Sequence, residues 1–308
     1  MNTVLNAVLA ADIGATSMRA ALVDCDAGTL LARAQAPTHP AEGFDAATER
    51  LGALLEGIAS ESASRPVALG VSTAGPLDPR TGEYRHPPNL PGWHGRTMRD
   101  ALVARLGLPV EVGHDATLAA LAETRFGAHR GASDLVYLTV STGIGAGIVA
   151  GGRAVTGSHG GAGEVGHLIV NPGGHACGAG CEGCLEGQSS GSAIAAIAGA
   201  PAEEIFARAE AGDAGAERII EDAVTYLGAG LAGVLAMLDP QVVVLGGGVA
   251  VGLEGRWWPS LLEQAGRFAL PRYEGNVPVE MTTLGDDASL LGAALWATGG
   301  AMEALGPH

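Results

Sequence analysis

The chain opens on an apolar run, residues 4–11, that breaks at a polar pentad containing glycine, residues 12–16. An alternating stretch follows over 18–23, then a turn at Asp26-Ala27-Gly28 and a third alternating run over 29–34. A period of two punctuated by short turns predicts a meander of strands, not a strand-helix-strand opening. The same order recurs later: an apolar run over 135–140, a glycine turn over 141–145, a strand over 146–150, a turn at Gly151-Gly152 and a strand over 153–156. This internal repeat predicts two similar α/β domains facing each other.

Between the meanders, helical spacing covers 46–63 and 97–106, with a buried strand over 67–72 and a proline-rich loop over 76–93. A short strand at 110–112 delivers Asp115 to a helix expected over 117–126. Further helices are expected over 191–197, 202–209 and 216–238. A strand over 242–245 then runs into Gly246-Gly247-Gly248, and a helix over 288–298 rich in small residues follows.

With 308 residues, 47% of them hydrophobic and 16% charged, the chain can bury a large core. The expected division is a small α/β domain over 1–116, completed by a C-terminal helix near 297–308, and a large α/β domain over 117–296. Seventeen basic against 33 acidic residues leave a formal charge of −16, which repels polyphosphate backbones, so no nucleic-acid partner is expected. Every basic residue is arginine; lysine is absent. That excludes a P-loop, a protein-kinase site and Schiff-base chemistry, each of which needs a lysine amine.

No Lys or Arg precedes Arg19 to make the charged start of a leader. No uninterrupted apolar run reaches the roughly 18 residues that span a membrane. Three of the four cysteines crowd into residues 177–184, a pattern of metal ligands and not of a secreted disulfide framework. A cytoplasmic protein without membrane contact is expected.

The chemistry centres on the two glycine turns. In Asp12-Ile13-Gly14-Ala15-Thr16, Gly14 lets backbone amides approach phosphate oxygens, Thr16 offers a hydroxyl and Asp12 can hold magnesium through water. A hairpin turn uses Asp and Gly for geometry alone, so the pentad by itself leaves both readings open. The second meander carries Ser141-Thr142-Gly143-Ile144-Gly145, which lacks the carboxylate and keeps a hydroxyl and glycines. Two opposed turns of this kind can clamp the phosphates of a nucleotide.

The ordered set DIGAT at 12–16, STAGPLD at 72–78, PNLPGW at 88–93, HDATLAALAE at 114–123, STGIGAG at 141–147, GEVGHLIVNPGG at 163–174, GCLE at 183–186 and VVVLGGGVA at 242–250 resembles the ROK family of bacterial sugar kinases, within the actin and hexokinase superfamily. The resemblance covers nearly the whole chain. It implies two actin-like (RNase H-like) ATPase domains with an interdomain cleft that holds nucleotide and sugar and closes on the sugar. The implied activity is transfer of the terminal phosphate of ATP, with Mg2+, to the 6-hydroxyl of glucose or a close analogue. Asp115 resembles the catalytic base; a carboxyl beside helix amides should have a low pKa, and the plain structural alternative is a helix N-cap. Thr142, Gly143, Asp12, Gly14 and Thr16 would hold phosphates, with Gly246, Gly247 and Gly248 on the adenosine side. Glu164 and His167 resemble a GExGH element in which the glutamate reads sugar hydroxyls and the histidine touches both sugar and zinc. Glu186 resembles a further sugar-reading carboxylate, and Asn89 and backbone near Gly75 complete the sugar pocket. A homodimer is implied by the resemblance alone.

Cys177, Cys181 and Cys184 follow His167 with spacing that suits a closed Cys3His zinc site; reduced buried thiols are the alternative. The family's spacing is CxCxxxxC, whereas residue 179 here is alanine and the second cysteine stands at 181, so the loop must take another path. His114 is a second departure, because the family has asparagine there. Imidazole carries its donor and acceptor on opposite ring edges. It either repeats the asparagine's bond to glucose or accepts from the amine of 3-amino-3-deoxyglucose (kanosamine). An amino-sugar kinase, acting on that sugar or an N-acetylhexosamine, is therefore the alternative activity. A ROK-type sugar sensor or repressor is the non-enzyme alternative; the eleven residues before Asp12 leave no room for its DNA-binding helices.

Overall fold

The computed structural model describes residues 7–62, 64–78, 80–87, 89–271 and 276–299. The expected start of the first strand at 4–6, the helix end at 63, Pro88 of the PNLPGW stretch and the expected C-terminal helix beyond 299 lie outside the described residues.

The described residues gather into two compact units: those within 1–133, 147–162 and 287–299, and those within 134–146 and 163–286. In the first unit, β1 (Ala7–Ile13), β2 (Ser17–Asp24), β3 (Thr29–Pro37), β4 (Leu69–Thr73) and β5 (Val110–His114) form a sheet of order β3-β2-β1-β4-β5. The three meander strands pair antiparallel, and β1-β4 and β4-β5 pair parallel. Position explains sequence here: β1 is central and apolar apart from Asp12 near its end, while β3 is an edge whose residues are half-buried or exposed in alternation. α1 (Phe44–Glu61) lays Leu51, Leu55 and Ile58 into the core, α2 (Arg99–Leu106) adds Leu102, and α3 (Asp115–Phe126) follows β5 without a loop.

The second sheet has order β10-β9-β6-β7-β8, from β6 (Leu135–Val140), β7 (Ile144–Ala150), β8 (Arg153–Ala154), β9 (Val242–Gly246) and β10 (Val279–Met281). Counted within its own set, that order is again third, second, first, fourth, fifth, so the repeat seen in the sequence is a repeat of topology. The chain passes from the second unit to the first within β7. α4 (Leu185–Ser189), α5 (Gly191–Ala198), α6 (Ala202–Glu210), α7 (Ala214–Leu238), α8 (Gly248–Leu253) and α9 (Trp258–Phe268) belong to the second unit, and α10 (Ala288–Ala297) to the first.

α7 begins where Asp213 accepts from the Gly215 and Ala216 amides at 2.9 and 3.2 Å, an N-cap that starts the helix two residues before the expected position. It is long and apolar enough to cross a membrane. Ile220, Val224, Leu227, Leu231 and Val234 are nevertheless all in the apolar core of its unit, the position of a core helix. Four elements were not anticipated: α4, α8, α9 and β10. α9 carries Pro259 in its first turn and buries Leu261 and Ala265 one turn apart, a spacing that Gly255, Trp257 and Trp258 obscure.

Candidate active site

In the first unit the strand register sets Arg19 of β2 and Ser72 of β4 beside Asp12 of β1. Cross-strand neighbours share a face, and the side chains meet. Arg19 Nη2 and Nε donate to Asp12 Oδ2 at 2.5 and 3.2 Å, and Ser72 Oγ donates to Oδ1 at 2.8 Å. Both carboxylate oxygens of Asp12 thus have protein partners. The Gly14 amide donates to the Ser17 carbonyl at 3.0 Å. Buried Thr38 fastens the turn from outside: its hydroxyl donates to the Gly14 carbonyl at 2.7 Å and its amide to the Thr16 carbonyl at 2.9 Å. Thr16 itself is exposed.

β5 ends on His114, and Asp115 is the first residue of α3, two residues before the expected helix start. The residue in the N-cap position is His114, with φ −72° and ψ 133°; Asp115 Oδ1 instead accepts from the Ala116 amide at 2.6 Å. The expected depression of the Asp115 pKa is corrected by the structure. Burial pushes its carboxyl above the usual range; His114 pulls the other way, the Asp12 charge adds to the rise, and the Ala116 amide opposes it. Desolvation outweighs the helix amides on which the expectation rested. His114 Nε2 stands 3.4 Å from Asp115 Oδ1. A Cβ at Gly75 would lie 2.8 Å from the His114 ring, so the glycine leaves the space that the imidazole takes.

The loop after β4 is pinned by a buried polar pair and an aromatic cluster. Thr73 Oγ1 and Tyr84 Oη lie 2.8 Å apart, and the Phe44, Tyr84 and Trp93 rings meet edge-on at 5.2 to 6.5 Å. Asn89 lies exposed on this loop and makes no hydrogen bond among the described residues. A cavity of about 570 Å³ lies in the same unit, lined by Asp78, Arg85, Thr156, His159 and Trp296 among others.

In the second unit, the turn after β6 is closed by the Ser141 amide on the Gly143 carbonyl at 2.9 Å, and Thr142 is exposed at its tip. The α4–α5 segment holds it: Gly191 and Ser192 amides donate to the Ser141 and Thr142 carbonyls at 2.7 and 3.1 Å, and the Ile144 amide donates to Glu186 Oε2 at 2.9 Å. The three glycines after β9 divide in role. A Cβ at Gly246 would strike Tyr137 Oη at 2.0 Å, and Gly247 has φ 97° with the Val140 carbonyl 2.6 Å from a Cβ, so packing and backbone demand both. Gly248, which opens α8, has nothing within 4 Å of the Cβ position, and a ligand could lie against it.

Glu164 precedes a 3₁₀ turn over Val165–His167. His167 Nε2 faces Glu164 Oε2 at 3.8 Å, while its Nδ1 stands 3.2 Å from Cys181 Sγ and 3.8 Å from Cys177 Sγ. The sulfurs of Cys177 and Cys181 are 3.3 Å apart, and one donor atom from each of His167, Cys177, Cys181 and Cys184 falls within 4.8 Å of all the others. Bonds of about 2.3 Å to sulfur and 2.0 Å to nitrogen in a tetrahedron give separations of this size, so the donor set fits zinc. The displaced cysteine is accommodated by a tight reversal: the Gly180 amide donates to the Cys177 carbonyl at 2.9 Å and the Cys177 amide to the Cys181 carbonyl at 3.0 Å, with Gly180 at φ 88°. Burial first, then the neighbouring sulfurs of Cys184 and Cys177, push the Cys181 thiol up to about 12. A bound cation would reverse that by stabilising thiolate.

A fold of two repeated five-stranded sheets, each with a glycine turn after its first strand, is that of the actin- and hexokinase-like phosphotransferases. The ROK family profile matches residues 8–299, and the chain belongs to the ROK family. The ROK hexokinase structure from Thermus thermophilus is 41% identical, with TM-score 0.84 over 96% of this chain and 99% of that one. A ROK family glucokinase from Streptomyces griseus, solved with glucose and AMPPNP, is 30% identical, with TM-score 0.82 over 95% and 99%. The N-acetylmannosamine kinase of Shigella flexneri is 36% identical over 95% of this chain and 98% of its own length.

Proposed function

We propose that this chain is an ATP-dependent hexokinase that transfers the terminal phosphoryl group of ATP to the 6-hydroxyl of glucose or a close analogue, with Asp115 as the base. The observation that carries the reading is the placement of Asp115: a carboxyl raised by burial, at the first position of a helix, with a second carboxylate, Asp12, close enough to add to the rise. The sugar oxygen forms its bond to the γ-phosphorus as the bond to the β–γ bridging oxygen breaks. ADP leaves, and the hydroxyl proton passes to an Asp115 oxygen. Magnesium on the ATP supplies positive charge to the phosphates. Asp12, Gly14, Thr16, Thr142, Gly143 and Gly246 to Gly248 are assigned to the nucleotide. Gly75, Asn89, His114, Glu164, His167 and Glu186 are assigned to the sugar.

His167, Cys177, Cys181 and Cys184 would hold a structural zinc that supplies no chemistry and fixes the loop carrying His167. A cytoplasmic homodimer belongs to the same reading and is tested by solution mass.

The second reading, an amino-sugar kinase, is favoured by His114 and by the similarity to an N-acetylmannosamine kinase. With Nε2 toward Asp115, the ring's other nitrogen is the one left to meet a sugar substituent. Comparing kcat/KM for glucose, mannose, glucosamine, N-acetylated hexosamines and 3-amino-3-deoxyglucose decides between them. If His114 accepts from a 3-ammonium group, the amino sugar is preferred by about tenfold or more, and His114→Asn moves selectivity to glucose. Glucose leading in both proteins overturns the second reading, and failure of every sugar to stimulate ATP turnover overturns the kinase reading.

A further inference from the structure

Glu186 is assigned above to the sugar, yet its visible bond is to the other side of the reaction. Oε2 accepts the Ile144 amide at 2.9 Å, and a Cβ on Gly143 would lie 2.6 Å from the same oxygen. Gly166 packs beneath both: a Cβ there would meet the Ile144 carbonyl at 2.1 Å and the Glu186 Cβ at 3.4 Å. Oε1 makes no hydrogen bond among the described residues. One carboxylate therefore lies against the glycine turn with one oxygen and keeps the other for a further donor.

We propose that Glu186 is a positioning residue for the Ser141-to-Gly145 turn, so that a single carboxylate sets both the sugar-reading surface and the shape of the phosphate-binding backbone. The inference rests on the kinase reading for what the two sides bind. Ile144 is buried, so its amide must find an acceptor inside the protein, and an ionised acceptor makes the stronger bond. The Ser141 and Thr142 carbonyls are held separately by Gly191 and Ser192. Loss of Glu186 therefore loosens the turn at Gly143 and Ile144 while its first half stays fastened. The Gly143 contact makes the coupling reciprocal, because a methyl at 143 displaces the flexible end of Glu186 from the turn.

The test separates the two oxygens. Binding of AMPPNP to the sugar-free protein is measured by calorimetry, alongside KM for sugar. Glu186→Ala should weaken the analogue by about tenfold, the order expected for a lost hydrogen bond to a charged group. Glu186→Gln keeps an acceptor for the Ile144 amide and should bind the analogue within about twofold of wild type while its sugar KM rises by about tenfold. Gly143→Ala, on the phosphate side, should raise the KM for sugar. Analogue binding by Glu186→Ala within about twofold of wild type overturns the proposal, as does equal weakening by Gln and Ala. Should Glu186→Ala fail to melt cooperatively, Gly143→Ala decides: an unchanged sugar KM overturns the proposal and a raised one supports it. Wild-type protein that binds neither analogue nor sugar would remove the kinase reading and this inference together. Equal binding by wild type and Glu186→Ala removes the inference alone.

Discussion

Asp115 illustrates how a carboxyl that burial holds in its neutral form opposes stability when it ionises. Its folded-state pKa is raised, chiefly by burial, so the fold favours the protonated form. The penalty for ionisation is absent below the unfolded-state pKa and grows as pH rises through the folded-state value. With 37% of the side chain still open to solvent, that penalty is a fraction of the one a fully enclosed charge would carry. Asp115→Asn should therefore raise the melting temperature at pH 7 and lose the gain in acid. Turnover should fall by about 10²–10⁴-fold, because the proton acceptor is gone. Activity within a few-fold of wild type, or a lower melting temperature at pH 7, would contradict this assignment. In the wild type, kcat/KM should fall on the acid side at a pH above about 3.9, the ordinary aspartate value. Asp12, Glu164, Glu186 and the cysteines stood out in the sequence through their motifs. Arg19, Thr38 and Ser72, which hold Asp12 and its turn, did not, because only strand register brings them together.

Among the elements, α10 and α3 make the closest approach that bears on the site. A Cβ at Gly292 would lie 1.8 Å from the Leu118 carbonyl of α3, and one at Gly70 of β4 would lie 1.8 Å from the Ala293 carbonyl of α10. α3 carries Asp115, so the seat of α10 sets where that carboxylate stands. Gly292→Ala gains at most about 1 kcal/mol of helix propensity and forces backbone apart, a change that costs about 1–3 kcal/mol or more. The variant should melt lower and turn over more slowly; a higher melting temperature would show that the helices separate freely. The loop that gathers His167 and the three cysteines is the second such element. Wild-type protein should contain about one zinc per chain, as a closed four-ligand site requires. Cys181→Ala should lower zinc content and melting temperature and raise the KM for sugar, since His167 loses its anchor. Purified wild-type protein free of zinc would end that assignment.

Across the whole molecule, the absence of lysine is as informative as any motif. Without a lysine amine, phosphates can be met here only by groups such as backbone amides and hydroxyls, which is the equipment of two glycine turns and not of a lysine-bearing P-loop. An amine-selective reagent in excess should leave ATP-dependent activity unchanged, measured against a lysine-dependent kinase treated in parallel. Inactivation would mean that an amine takes part in the reaction even though no lysine is present. The formal charge of −16 makes the same point at long range, because an acidic surface repels nucleotides except where local donors gather.

Much was determined by the sequence alone. The period-of-two runs and their recurrence defined two meanders, because a central strand must be apolar throughout and an edge strand need not be. Motif order singled out the glycine turns, Asp115 and the His167, Cys177, Cys181 and Cys184 group, because each lies in a short segment recognisable by its residues. Tertiary structure decided the rest. The sign of the Asp115 shift depended on burial, which no local pattern around residues 114–118 reports. The reversal that returns Cys181 to Cys177 depended on Gly180 adopting φ 88°. The bond from Ile144 to Glu186 joins residues 42 apart, a contact made by packing α4 against the turn and invisible to spacing along the chain.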